Sequence, residues 1–261
     1  MSIPIPPRLY KYQPFSAPTL SNLAERKLWF SSPADFNDPL DCGLYLIDGE
    51  IRPADARRAF EYYRGHVPDP AAFQARYAPN GQLTSEFLAE LARGAQSGLN
   101  DIIRDQRGVA CFATTPSSLL LWAHYADGHR GFCLEFDTSA DFFGKAHPVS
   151  YAANVPVLNA VDFLTDRPAE DLFEAIFLTK SKHWSYEEEW RLVHKEPRTA
   201  YTYHWKVLTG VYLGTAMPAV HKEIIALVLR DSPTLLYDMK LDRGSFALRP
   251  VAVTHQPLEY K

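Results

Sequence analysis

Hydrophobic and polar positions change period several times along the chain, and the changes mark its elements. Arg8–Tyr12 (RLYKY) alternates with period two and is rich in tyrosine, so it is expected as a strand. Leu28–Ser32, Val109–Ala113, Phe132–Phe136, Val207–Gly214 and Phe246–Val253 are short apolar or alternating runs of the same kind. Helical spacing predicts a short helix at SNLAERK, with Thr19 or Ser21 as its N-cap. It also predicts helices at Ser117–Ala126, capped by Ser117, at Ala169–Thr179 and at Pro218–Leu229. Residues 52–106 carry this spacing almost throughout, in ADARRAFEYYRGHV, DPAAFQARY and SEFLAELARGAQSGLNDIIRDQ, with APNGQ as a turn. Pro33–Asp41 is dense in turn formers and is expected as a loop. Strands, then a helical block, then strands with interspersed helices do not make a regular βαβ alternation. The expectation is an α+β fold with a mixed or antiparallel sheet, one domain over residues 1–261, and a helical insertion at 52–106.

Composition narrows this picture only a little. The chain has 261 residues, 46% of them hydrophobic and 22% charged, which is enough to bury a sizeable core. A net charge of -4 argues against a broad nucleic-acid surface but not against a local basic groove. Cys42, Cys111 and Cys133 are odd in number and widely spaced, so no disulfide framework is expected and a reducing, cytoplasmic setting fits. The proline-rich N-terminal stretch lacks the apolar centre of a signal peptide, and no run is long enough to cross a membrane. A protein delivered into a target cell is compatible with both observations.

The densest chemistry lies in HWSYEEEWRLV, His183 to Val193. Read as a strand, one face carries Tyr186, Glu188, Trp190 and Leu192, and the other carries Glu187, Glu189, Arg191 and Val193. Two carboxylates so close repel, and at least one pKa should rise. Such a pair suits a substrate site. It equally suits an exposed edge with solvated charges, or Glu189 paired with a neighbouring arginine. Asp35, Asp38 and Asp41 in DFNDPLD join Glu187 and Glu189 as possible oxygen ligands of a magnesium-dependent nuclease; alternatively Asn37 and Asp38 shape a turn that Pro39 fixes, and the loop is also a candidate border of a nucleotide pocket. His124 and His129 lack the glutamate of a zinc-protease helix, so no metal is expected there. Arg57, Arg58 and Arg64 read as a solvated helix face or as a contact for a target. Glycine-rich dinucleotide and P-loop patterns are absent.

Four segments, LYKYQPF, LWFSSPADFNDPLDC, VACFATTPSSLLLWAHYADGHRGFCLEFD and KSKHWSYEEEWRLV, together resemble a bacterial family known only as domain of unknown function 2971. More distantly, the order of the motifs is similar to that of ADP-ribosyltransferases. Those enzymes place an Arg or His on a first strand, a Ser-Thr-Ser-like element on a second, and a catalytic Glu two residues after Gln or Glu on a third. LYKY, CFATT and EEEW stand in that order here. The resemblance implies an ADP-ribosyltransferase-like split sheet and NAD as the donor substrate. It also implies Glu189 stabilising the ribosyl cation, Glu187 positioning the acceptor, and Lys11, Thr114 and Thr115 at the nucleotide. Tyr12, Trp122 and Tyr125 are the aromatic candidates for stacking on nicotinamide, although each also suits a core. Lys11 departs from the family pattern because a lysine has no planar fork, and Ala113 removes a hydroxyl. The acceptor, protein or nucleic acid, is not implied. By analogy the protein is a toxin or an anti-phage defence protein. A catalytically silent module binding a nucleotide or a protein, and a metal-dependent nuclease, are the rival readings.

Overall fold

The computed structural model describes residues 3–42, 51–94, 107–139, 141–156 and 169–253. In chain order its strands are β1 (Arg8–Gln13), β2 (Lys27–Phe30), β3 (Gly108–Phe112), β4 (Phe132–Asp137), β5 (His147–Pro148), β6 (Ser150–Ala152), β7 (Thr179–Ser181), β8 (Trp190–His194), β9 (Thr199–Thr202), β10 (Leu208–Leu213), β11 (Leu235–Leu241) and β12 (Leu248–Ala252). They form a five-stranded sheet β1-β4-β10-β11-β12, a three-stranded sheet β3-β8-β5, and the pairs β2-β9 and β6-β7. The large sheet is mixed, with only β10 and β11 parallel, and the three-stranded sheet is antiparallel. With its helices this makes the chain α+β.

Alternation along the strands decides the layers. On β4, Phe132, Leu134 and Phe136 enter the main core while Cys133 enters the cluster on the opposite face. On β3 and β8, Ala110, Phe112, Trp190 and Leu192 face the same main core. The two sheets therefore close on one apolar layer, which the helix Ala219–Leu229 joins through Ile225 and Leu229. The other face of β3 and β8 meets Ile176 and Phe177 of the helix Ala169–Phe177. Single bridges, Tyr10 with Ala113 and Ser31 with Val109, tie β1 and β2 to β3.

Local chemistry corrects several boundaries. The first helix spans Ala17–Ala24, and Ser16 is its cap. Thr19 is the third helical residue of a capping box, returning its hydroxyl to the Ser16 backbone. The helix Leu119–Tyr125 is capped by Ser118 rather than Ser117. In the insertion, Pro53–His66, Pro70–Tyr77 and residues 85–94 are helical and share a core around Phe60, Tyr77 and Phe87. The rest of the expected third helix, 95–106, lies outside the described residues. Among the described residues no helix is long and apolar enough to cross a membrane.

Candidate functional site

A cavity of about 350 Å³ opens where β1 meets β3. Its walls are Tyr10 to Tyr12 of β1, Cys111 and Phe112 of β3 with the following Ala113, and Leu121, His124 and Tyr125 of the helix Leu119–Tyr125. The loop after β2, including Asn37 and Asp41, completes it together with Lys180, Glu187 and Glu189. The lining combines aromatic side chains (Tyr10, Tyr12, Phe36, Phe112, Tyr125) with charged ones (Lys11, Asp35, Asp41, Lys180, Glu187, Glu189).

The two glutamates do not reach the cavity from a strand. Lys182–Glu187 is a 3-10 turn, Glu188 takes a left-handed backbone conformation (φ 44°), and β8 begins only at Trp190. This overturns the expectation of simple alternating faces. The left-handed residue interrupts the pleat, yet the Glu187 and Glu189 side chains still converge, both on one cation. That cation is Lys180 on β7, 2.6 Å from Glu187, 3.0 Å from Glu189 and 3.3 Å from Asp41. Arg191, the second residue of β8, grips Glu189 with Nε at 2.8 Å and Nη2 at 3.0 Å, and holds Asp41 at 2.7 Å. Its Nη1 donates to the Phe177 carbonyl at 2.8 Å and to the Cys42 sulfur at 3.3 Å. Tyr125 donates to Glu187 at 2.7 Å, and the Glu189 backbone N–H donates to the Tyr151 hydroxyl at 2.8 Å. Far from being a solvated edge, Asp41, Lys180, Glu187, Glu189 and Arg191 are all buried.

Burial and pairing set the charge states. For Glu189, burial opposes ionisation, but Arg191 and Lys180 outweigh it and hold the carboxyl down at about 2. Glu187 is pushed up, first by burial, against the pull of Lys180 and Tyr125. Repulsion between the two acids contributes to that rise but is the smaller cause. Lys180 also loses solvation, yet Glu189, Asp41 and Glu187 raise it above the ordinary lysine range. Lys11 is the contrast: burial pushes its amine down, and its hydrogen bond is a single one to the Cys111 carbonyl at 3.2 Å.

Of the residues singled out from sequence, Lys11, Tyr12, Tyr125, Glu187 and Glu189 all line this cavity. Three do not. Trp122 is fully buried, donates its indole N–H to the Pro116 carbonyl and packs edge-on against Tyr12, so it is core. The Thr114 hydroxyl is spent outside the cavity on Glu188, at 2.6 Å. Thr115 uses its hydroxyl on the Ser117 N–H and its carbonyl on the Tyr12 hydroxyl, because the chain turns there into the helix. Asp35 lines the cavity, whereas Asp38 accepts from the Trp184 indole. Two of the alternatives read from sequence hold: Glu189 pairs with a neighbouring arginine, Arg191, and the loop carrying Asp41 borders the cavity. Sequence reasoning missed Lys180 and the reach of Asp41 into the cluster. The signal present was the KSKHW segment, whose lysine had no assigned partner. The three cysteines are free. Among the described residues no group of histidine, cysteine and acidic side chains has the arrangement of a metal site.

The fold and the site together define an α+β protein with a cavity of about 350 Å³ built on a buried ionic cluster. Residues 121–192 match the family model described as protein of unknown function (DUF2971). The matched stretch contains Tyr125, Lys180, Glu187, Glu189 and Arg191, and so supports the resemblance carried by the motifs around them. No curated protein and no solved structure matches the chain.

Proposed function

We propose that the chain is an ADP-ribosyltransferase-like enzyme that breaks the nicotinamide–ribose bond of NAD. The observation that supports this reading most is convergence: Lys11 and Tyr12 of β1, Ala113 just after β3, and Glu187 and Glu189 before β8 line one cavity. These are the three segments whose order resembles that enzyme class. A cavity of about 350 Å³ suits the nicotinamide and its ribose.

The chemistry needs negative charge beside a sugar that becomes positive as the glycosidic electron pair leaves with nicotinamide. Asp41, Glu187 and Glu189 against Lys180 and Arg191 leave one net negative charge when all are ionised. Arg191 occupies both oxygens of Glu189, which therefore acts as a fixed charge held rigidly by the strand behind it. Glu187 receives one donor per oxygen and keeps lone pairs for a ribose hydroxyl or for the proton of the attacking acceptor.

The same locked Glu189 favours a second reading, a catalytically silent nucleotide-binding module. The nuclease reading fares worse, because Lys180 already sits among the three carboxylates that would take the cation. Incubation with NAD labelled in the nicotinamide ring separates the first two. Release of label that drops at least about 100-fold in Glu187→Gln, with unchanged thermal melting, supports the enzyme. Binding without release in the wild-type protein supports the module.

A further inference from the structure

Lys11 is a nucleophile that cleavage of the nicotinamide–ribose bond leaves idle. β1 and β3 are joined by one bridge, Tyr10 with Ala113, and the Lys11 side chain spans the gap beside it. Its amine donates to the Cys111 carbonyl at 3.2 Å and lies 5.5 Å from the centre of the Phe112 ring. Among the described residues it forms no ion pair. The titratable groups that act on it are Cys111 and Glu189. Both favour its charged form, but burial outweighs them and pushes the amine down. Asp35, Asp41, His124, Lys180 and Glu187 are the further acidic and basic groups of the lining. Among them Lys180 is the contrast, because three carboxylates hold its N–H groups and keep its nitrogen protonated. One lysine of the cavity is locked as a cation, and the other gives up its proton more easily than an ordinary lysine.

We propose that Lys11 condenses with the carbonyl group of a small aldehyde bound in the cavity and forms an imine. The nitrogen adds its lone pair to the carbonyl carbon, and the carbonyl oxygen gains a proton as the nitrogen loses one. The resulting hydroxyl leaves with the second nitrogen proton as water, and the C=N bond closes. One imine and one water form, and no oxidant or reductant is consumed. Glu187 keeps lone pairs in the same lining to carry the protons. The faces of Tyr10, Tyr12, Phe36 and Phe112 suit an aldehyde on an aromatic ring, and a volume of about 350 Å³ admits one such ring. Lysine reacts in this way where an apolar pocket strips its solvation, whereas the guanidinium of arginine stays protonated and does not.

The test is reductive trapping on the wild-type protein with benzaldehyde and cyanoborohydride, followed by peptide mapping in a mass spectrometer. Cyanoborohydride supplies the hydride that turns the imine into a stable secondary amine. At about pH 7, Lys11 is expected to be modified at least about tenfold faster than the exposed Lys182 and Lys195, at a rate that saturates with benzaldehyde. Lys180, in the same lining, should stay unmodified while Lys11 reacts. The advantage of Lys11 should shrink toward about pH 10, where ordinary lysines lose their protons. Lys11→Arg and Lys11→Met, with their melting transitions intact, should each abolish the fast, saturable labelling. Labelling of Lys11 no faster than that of Lys182 and Lys195 overturns the proposal. A rate that rises linearly with benzaldehyde does so too, since no complex in the cavity then precedes the reaction. The same holds if Lys180 reacts as fast as Lys11. The mixture contains no NAD, so release of nicotinamide stands or falls separately.

Discussion

Two lysines line the same cavity, and the protein treats them in opposite ways. Lys180 is surrounded by three carboxylates within 3.3 Å, and their attraction outweighs its lost solvation. Lys11 has one carbonyl partner and an aromatic ring 5.5 Å from its amine, and lost solvation dominates. Burial alone therefore does not fix the state of a side chain; the partners buried with it do. Lys180 is a structural cross-link for Glu187, Glu189 and Asp41, whereas Lys11 is a weakly held amine beside a ligand space.

The largest effect that can break this contrast is on stability. Lys180→Met leaves three buried acids to share Arg191 and should cost about 3–5 kcal/mol, as breaking a buried ion network does. Lys11→Met gives up one long hydrogen bond and gains apolar contact, so it should change stability by less than about 1 kcal/mol. Urea unfolding of both variants reads the difference. Similar losses in the two would show that Lys11 is also a structural cation and that the division of labour is wrong.

How much of this was legible in the sequence follows from the range of the forces involved. Period-two alternation gave β1, because alternate side chains of one strand must choose between two faces, and short apolar-rich runs gave β3 and β4. The short strands β5, β7 and β9 carried no such signal; they exist because β8, β6 and β2 offer edges to pair with. The same limit applies to the site. Glu187 and Glu189 drew notice as neighbours in sequence, and Arg191 stood two residues beyond Glu189. Pairing of Glu189 with a neighbouring arginine was among the readings, but Lys180 was not assigned, because it comes from a separate short strand that no local pattern announced. Asp41 reaches the cluster from 150 residues away, in the Arg191 contact, and nothing local announces that pairing. The threonines show the reverse error: motif order placed them at the cavity, but Thr114 gives its hydroxyl to Glu188 and the turn into the next helix takes that of Thr115.

A pH series sharpens the comparison on the acid side. The Glu189 carboxyl is held at about 2 against an ordinary value of 4.5, so the folded state binds its proton later than the unfolded chain does. A depressed carboxyl contributes stability that is complete above pH 4.5 and is lost as pH falls toward 2. The shift corresponds to about 3 kcal/mol at most. Glu187, raised by burial, has the opposite sign: ionising it costs stability as pH rises above its ordinary value, so it softens the acid limb without reversing it. Glu189→Gln should flatten the fall in stability between pH 4.5 and 2 measured by urea midpoints. An unchanged acid limb in that variant would mean that other carboxylates carry it, and that the cluster matters less than its burial suggests.

The smallest effect concerns the threonine nearest the cavity that takes no part in it. Thr114 donates to Glu188, and the bond is exposed, so its net worth is about 0.5–1 kcal/mol. Glu188 occupies the left-handed position between the two glutamates that meet Lys180, and among the described residues its bond to Thr114 is what links Thr114 to that segment. Thr114→Val should therefore lower stability by no more than about 1 kcal/mol and leave ligand affinity within about twofold, since it removes no group from the cavity lining. A loss of affinity of tenfold or more, with the melting temperature hardly moved, would place the Thr114 hydroxyl at the ligand after all. In that case the contact with Glu188 belongs to the empty cavity alone, and the second motif acts as its resemblance to the Ser-Thr-Ser element implies.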